Sequence, residues 1–139
     1  NTLPTVRERK VSDIHKRLEL VEAEQNCILV SIHQNYFTQS RYSGAQIFYS
    51  SNHEDSALIA ESIRTSIVSM LQPENTRENK EATDSIYLLW NTKAPAVLVE
   101  CGFLSNEAEA ALLGEEAYQE QMAFCIYDGL TRWLSENGR

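Results

Sequence analysis

Cys27-Ile28-Leu29-Val30-Ser31-Ile32-His33 is the stretch that decides the fold: a nearly continuous apolar, β-branched run that ends on a histidine. A strand with one wet face alternates apolar and polar residues. A run without alternation fits a strand buried on both faces, as in a parallel sheet. Ala96-Val97-Leu98-Val99-Glu100 repeats the pattern and closes on a glutamate. In open α/β sheets ligands bind beyond the carboxyl ends of parallel strands. If these two strands run parallel, His33 and Glu100 emerge at the same edge, where an imidazole and a carboxylate can serve as metal ligand and general base. Two plainer readings stand beside that one: a histidine satisfied by a backbone carbonyl, and a glutamate capping the next turn.

Outward from these strands the chain alternates between periodicities. Val11, Ile14, Leu18 and Val21 recur at helical spacing and predict an amphipathic helix from Thr5 to about Gln25. Ala45–Tyr49 predicts a second strand. Ser51 and Asn52 are N-cap candidates for a long helix with the stripe Leu58, Ile59, Ile63, Ile67, Met70 and Leu71, ended by Pro73. Residues 72–84 read as a polar surface loop, and Ile86–Trp90 as a third strand. Ser105 or Asn106 can cap a short helix that Gly114 stops. A last helix carries Tyr118, Met122, Ile126, Leu130, Trp133 and Leu134. The order α-β-β-α-β-β-α-α predicts one α/β domain over residues 1–139, with a mostly parallel central sheet and helices on both faces. One hairpin-like pair can add an antiparallel strand.

Composition narrows the function. With 12 Lys and Arg against 20 Asp and Glu, the 139-residue chain carries a net charge of −8 and a pI near 4.8. That balance argues against nucleic-acid binding and against adsorption to an anionic membrane surface. No apolar run approaches the roughly 18 residues that span a bilayer. Cys27, Cys101 and Cys125 show no C-x-x-C spacing, which speaks against a disulfide framework and a zinc knuckle. The start, Asn1-Thr2-Leu3-Pro4, carries neither an initiator Met nor a signal-peptide pattern and reads as the middle of a longer chain.

Three stretches in order carry a resemblance: Ser31-Ile32-His33-Gln34-Asn35, Ser43-Gly44-Ala45-Gln46-Ile47-Phe48-Tyr49, and Pro95 through Glu100-Cys101-Gly102-Phe103-Leu104-Ser105-Asn106. Together they resemble the zinc-dependent N-acetylmuramoyl-L-alanine amidases of the type 3 family, bacterial cell-wall hydrolases, over essentially the whole chain. Asn75-Thr76-Arg77 through Ile86-Tyr87-Leu88 looks most like the germination-specific, spore-cortex branch. The resemblance implies hydrolysis of the amide between the lactyl group of N-acetylmuramic acid and L-alanine in peptidoglycan, in an exported protein of the cell wall. It makes His33 a zinc ligand and Glu100 the catalytic glutamate. Zinc would polarise the scissile carbonyl and acidify water, while Glu100 moves the proton to the leaving nitrogen.

The family pattern also has a first strand with a G-H-G-G-type zinc histidine and a second ligand, a glutamate, at the next helix start. Neither motif occurs here. The chain is therefore expected to be an N-terminally truncated amidase domain lacking that strand and helix. It is expected to be inactive alone and to pair through an exposed sheet edge. Two other functions compete: a non-catalytic peptidoglycan-binding or regulatory module, and a different zinc peptidase on a similar scaffold.

Other side chains invite weaker readings. Asn35 of the Ser31–Asn35 motif, with Arg77 and Lys80 of the polar loop, are candidate substrate contacts, since Arg grips carboxylates bidentately. His15 and His53 match no family ligand and read as surface residues. Ser31 and Ser105 lack a G-x-S-x-G elbow and read as structural and as a helix cap. Cys101 should face away from Glu100, because strand neighbours alternate. Trp90 and Trp133 are expected in the core or at its boundary.

Overall fold

The computed structural model describes residues 5–35 and 39–139. Helix α1 spans Val6–Ala23, β1 Leu29–Asn35, β2 Gln46–Tyr49 and α2 Asp55–Met70. They are followed by β3 at Lys80–Glu81, α3 at Tyr87–Asn91, β4 at Ala96–Phe103, α4 at Glu107–Leu113 and α5 at Glu116–Glu136. The sheet runs β1-β4-β2-β3. β1 lies parallel to β4 and β2 parallel to β3, while β2 meets β4 antiparallel. The mostly parallel sheet with helices on both faces is as the sequence predicts, but the antiparallel junction is no hairpin: it joins β2 to β4, with α2, β3 and α3 between them in the chain.

β4 is the spine, and its alternation sorts the molecule. Val97, Val99 and Cys101 join Ile47, Ile59, Ile63, Met122 and Ile126 in the main core, under α2 and α5. Ala96 and Leu98 face the other way, against Leu89, Phe48 and Ile86 under α3. The α2–α5 pair closes tightly at Gly129: a Cβ there would stand 2.6 Å from the Ile63 Cα. Ser62 fixes the crossing by donating to the Gly129 carbonyl at 2.6 Å.

Four local expectations need correction. β1 is not buried on both faces; it ends the described sheet, and Ile32 is 56% exposed. An apolar run reports a residue's preference, whereas its place in the strand order decides its surroundings. Ile86–Trp90 forms the short helix α3 instead of a strand, with the Trp90 N–H donating to the Ile86 carbonyl and Thr92 to Leu88. A five-residue apolar run has no periodicity to separate the two states. Trp90 consequently lies 51% exposed on that turn, whereas Trp133 is buried as expected.

The third correction concerns the start of α2, whose N-cap is Glu54, not Ser51 or Asn52; its end at Met70, capped by Leu71, falls just before Pro73 as expected. Asn52 instead donates to the Trp90 and Thr92 carbonyls, each at 2.8 Å, tying the β2–α2 turn to the end of α3. Fourth, residues 72–84 are not all surface loop: they include β3, and Gln72 and Ala82 are buried. Helix α1 forms as predicted, opening on a Thr5–Glu8 capping box. None of its residues is fully buried. Asn106 caps α4, receiving the Glu109 N–H at 3.0 Å, and Gly114 stops it.

Candidate functional site

Parallel pairing sets His33 of β1 directly beside Glu100 of β4. On β4's other side Gln46 of β2 is the antiparallel partner of Glu100. Residues paired across strands share a face, so His33, Glu100 and Gln46 form one polar row. The row below it is Ser31, Leu98, Phe48 and Lys80. This is the α1/α3 face. A cavity of about 290 Å³ there is lined by His33, Glu100, Ser31, Leu98, Ile86 and Tyr87, among others. A larger cleft of about 540 Å³ on the α5 side also touches His33, but its other walls are mostly apolar, such as Met122 and Ile126, with Gln34 and Gln119 as polar exceptions, and Glu100 is absent from it. The smaller cavity holds both the imidazole and the carboxylate.

Glu100 carries the sharpest signal. Its Oε2 is buried with no hydrogen-bond partner. Burial pushes its carboxyl above the usual carboxylate range, and the neighbouring His33 pulls it partly back. A buried unpaired carboxylate oxygen is costly and calls for an ion, a water or a substrate proton. That orphaned atom, facing an imidazole whose Nε2 lies 2.7 Å from the Ser31 hydroxyl, fits part of a cation-binding or proton-transfer centre. Among the described residues no three His, Cys, Asp or Glu side chains converge as a complete metal site.

Cys101 points away from Glu100 into the main core, as alternation predicts. Burial, and next the Glu100 charge, push its thiol up to about 11, so it stays protonated at neutral pH and is no nucleophile. His15 is exposed and stacks on Tyr87, with ring centroids 4.9 Å apart. His53 accepts the Asp55 N–H through Nδ1 at 3.1 Å, beside the start of α2 and away from the polar row.

Arg77 is more built-in than a solvated loop cation. Its guanidinium lies 4.7 Å from the Phe103 ring centroid and 5.5 Å from that of Tyr42. Its Nε donates to the Ser43 carbonyl at 2.9 Å, and Nη1 reaches Gln46 Oε1 at 3.4 Å. Gln46 therefore stands between Arg77 and Glu100. Lys80 is exposed on β3, at the sheet's far side from His33. Asn35 ends β1 opposite Phe103, past a register shift, and its carbonyl accepts the Leu104 N–H at 2.6 Å.

Two polar residues near the site escaped the sequence reading. Gln46 is 3% exposed and donates to the Glu78 carbonyl at 2.7 Å; a polar residue inside the Ala45–Tyr49 strand was its signal. Glu109 is buried, and its carboxylate accepts the Phe103 N–H at 2.6 Å and the Gly44 N–H at 2.8 Å. Gly102 leaves the room: a Cβ there would collide with the Glu109 carboxylate. Asn106-x-x-Glu109 reads as an ordinary capping box, so nothing local betrayed that Glu109 instead pins the loop before β2 to the end of β4.

The model of one protein family matches residues 3–132, the N-acetylmuramoyl-L-alanine amidases. The chain belongs to the N-acetylmuramoyl-L-alanine amidase family. The germination-specific amidase of Bacillus subtilis is 36% identical over 130 residues, covering 94% of this chain and 54% of that protein. The CwlD amidase of Clostridioides difficile, solved in complex with the GerS lipoprotein, superposes with a TM-score of 0.89 at 41% identity, over 95% of this chain and 66% of that one. An N-acetylmuramoyl-L-alanine amidase of Nostoc punctiforme superposes with a TM-score of 0.78 at 26% identity, over 87% and 65%. This amidase-family chain thus spans roughly half to two thirds of the relatives it matches. None of its described helices is long and apolar enough to cross a membrane.

Proposed function

We propose that residues 1–139 form an amidase catalytic domain, acting in the bacterial cell wall, that hydrolyses the bond between the lactyl group of N-acetylmuramic acid and L-alanine. The observation that carries the reading is the buried, unpartnered Oε2 of Glu100 beside His33. Glu100 acts as the general base: it takes a proton from the attacking water and returns it to the departing L-alanine nitrogen. Its raised proton affinity suits both halves of that task, because a base poised nearer neutrality also serves as the acid. His33 would hold a zinc ion, with further ligands supplied by residues beyond this chain. When bound, zinc supplies Lewis-acid polarisation of the amide carbonyl and lowers the pKa of water. Arg77, with Asn35 and Lys80, is a contact for the carboxylates of the stem peptide. Membership in the family and likeness to the germination-specific relative support this substrate.

Purified full-length protein, incubated with muropeptides and read by mass spectrometry, is expected to release the stem peptide from the muramyl lactyl group. Chelation should stop the release and zinc restore it. Binding of peptidoglycan without cleavage, by zinc-supplemented protein, would overturn the reading in favour of a non-catalytic module. Cleavage of ordinary peptides lacking the sugar would point to a peptidase. The reading also takes the outer edge of β1, with Ile32 exposed, as a surface for self-association of this span. Light scattering on residues 1–139 should show more than a monomer, and a monodisperse monomer would remove that part.

A further inference from the structure

Ser31 and His33 lie two residues apart on β1, on the face that carries Glu100. The Ser31 hydroxyl sits 2.7 Å from His33 Nε2. A neutral imidazole has one protonated and one bare nitrogen, and a partner at one of them fixes which is free. With Nε2 engaged by Ser31, Nδ1 is the nitrogen left for a further ligand. Ser31 is half-buried whereas the His33 ring is exposed at the end of the sheet. Packing does not lock an exposed ring, so a hydrogen bond from its own strand is an effective restraint on its rotation.

We propose that Ser31 is a positioning residue: its oxygen accepts the Nε2–H of His33, holds the ring in the tautomer with Nδ1 bare, and fixes Nδ1 as the metal-binding nitrogen. The inference rests on His33 as a zinc ligand, the reading given above. Metal-binding histidines are commonly oriented through their second nitrogen, and loss of that partner costs about 10- to 100-fold in metal affinity or activity. A hydroxyl does for His33 what a carboxylate or a backbone carbonyl does elsewhere. It also gives the serine at position 31, which is no nucleophile, a chemical task.

The test compares full-length wild type, Ser31→Ala and Ser31→Thr. Zinc affinity is measured by competition with a chromophoric chelator. The His33 tautomer in the metal-free protein is read by long-range proton–nitrogen NMR. Wild type should be protonated at Nε2. Ser31→Ala should weaken zinc about 10- to 100-fold and mix the tautomers, and Ser31→Thr, which keeps the hydroxyl, should restore both. Unchanged zinc affinity in Ser31→Ala, or a wild-type ring protonated at Nδ1, would overturn the proposal. If Ser31→Ala fails to fold, the wild-type tautomer and the Ser31→Thr protein still decide. A wild type that neither binds zinc nor cuts the muramyl amide sinks the functional reading, whereas the tautomer measurement judges Ser31 independently of it.

Discussion

The two faces of β4 are built to opposite specifications. Toward α2 and α5, Val97 and Val99 are fully buried among Ile59, Ile63 and Ile126, and the helices approach closely enough that Gly129 has no room for a side chain. Toward α1 and α3, the cluster shrinks to Ala82, Leu89, Ala96 and Leu98, α1 buries nothing fully, and a carboxylate oxygen is left unpaired. The first face holds the fold together. The second gives up packing so that polar groups can sit ready at a cavity. Alternation along a single strand lets both be built without either disturbing the other.

The largest expected effect separates the faces by activity. Glu100→Gln in the full-length protein should cut turnover on muropeptides by about 100- to 10,000-fold, the range of a general base. Its thermal midpoint should not fall, because a neutral isostere relieves the desolvated, unpaired charge. A variant that unfolds along with losing activity would break the comparison, by making Glu100 part of the fold.

Next in size is Gly129→Val on the packed face. Its Cβ would meet the Ile63 backbone at 2.6 Å and the Ser62 carbonyl at 2.8 Å, so α2 and α5 must separate. Overpacking costs about 1–3 kcal/mol, and backbone contacts place this variant at or above the top of that range. Denaturant unfolding measures it; a loss below about 0.5 kcal/mol would mean the helix pair is far more yielding than its geometry.

The smallest effect belongs to α1. Leu20 is 69% exposed, so Leu20→Ser should change stability by no more than about 0.5 kcal/mol. A loss of several kcal/mol would show that α1 is covered in solution and that the two faces are less unequal than they stand here.

His33 and Glu100 were legible as polar residues closing apolar runs, but neither ends its strand: β1 continues to Asn35 and β4 to Phe103. The buried nature of β4 was legible in its unbroken apolar run. The chemistry of Ser31 was not, because a hydrogen bond between strand residues two apart needs the pleat and the rotamers. Nor was Glu109, whose two backbone partners lie at positions 44 and 103 while its local pattern describes a helix cap.

By itself, then, the sequence determined the local and periodic features: an amphipathic first helix, the two polar groups that close apolar runs, the Asn106 cap, the acidic surface and the motifs that carry the family. Those follow from propensity and period, which act over a few residues. Only the tertiary structure decided that β1 lies at the end of the described sheet, that Ile86–Trp90 coils into a turn of helix, and that Gln46 flanks Glu100. Strand order and register arise from contacts far apart in the chain, where one neighbour's position fixes another's exposure. The sequence made His33 and Glu100 neighbours only on the condition that their strands ran parallel, and the β1–β4 register met that condition.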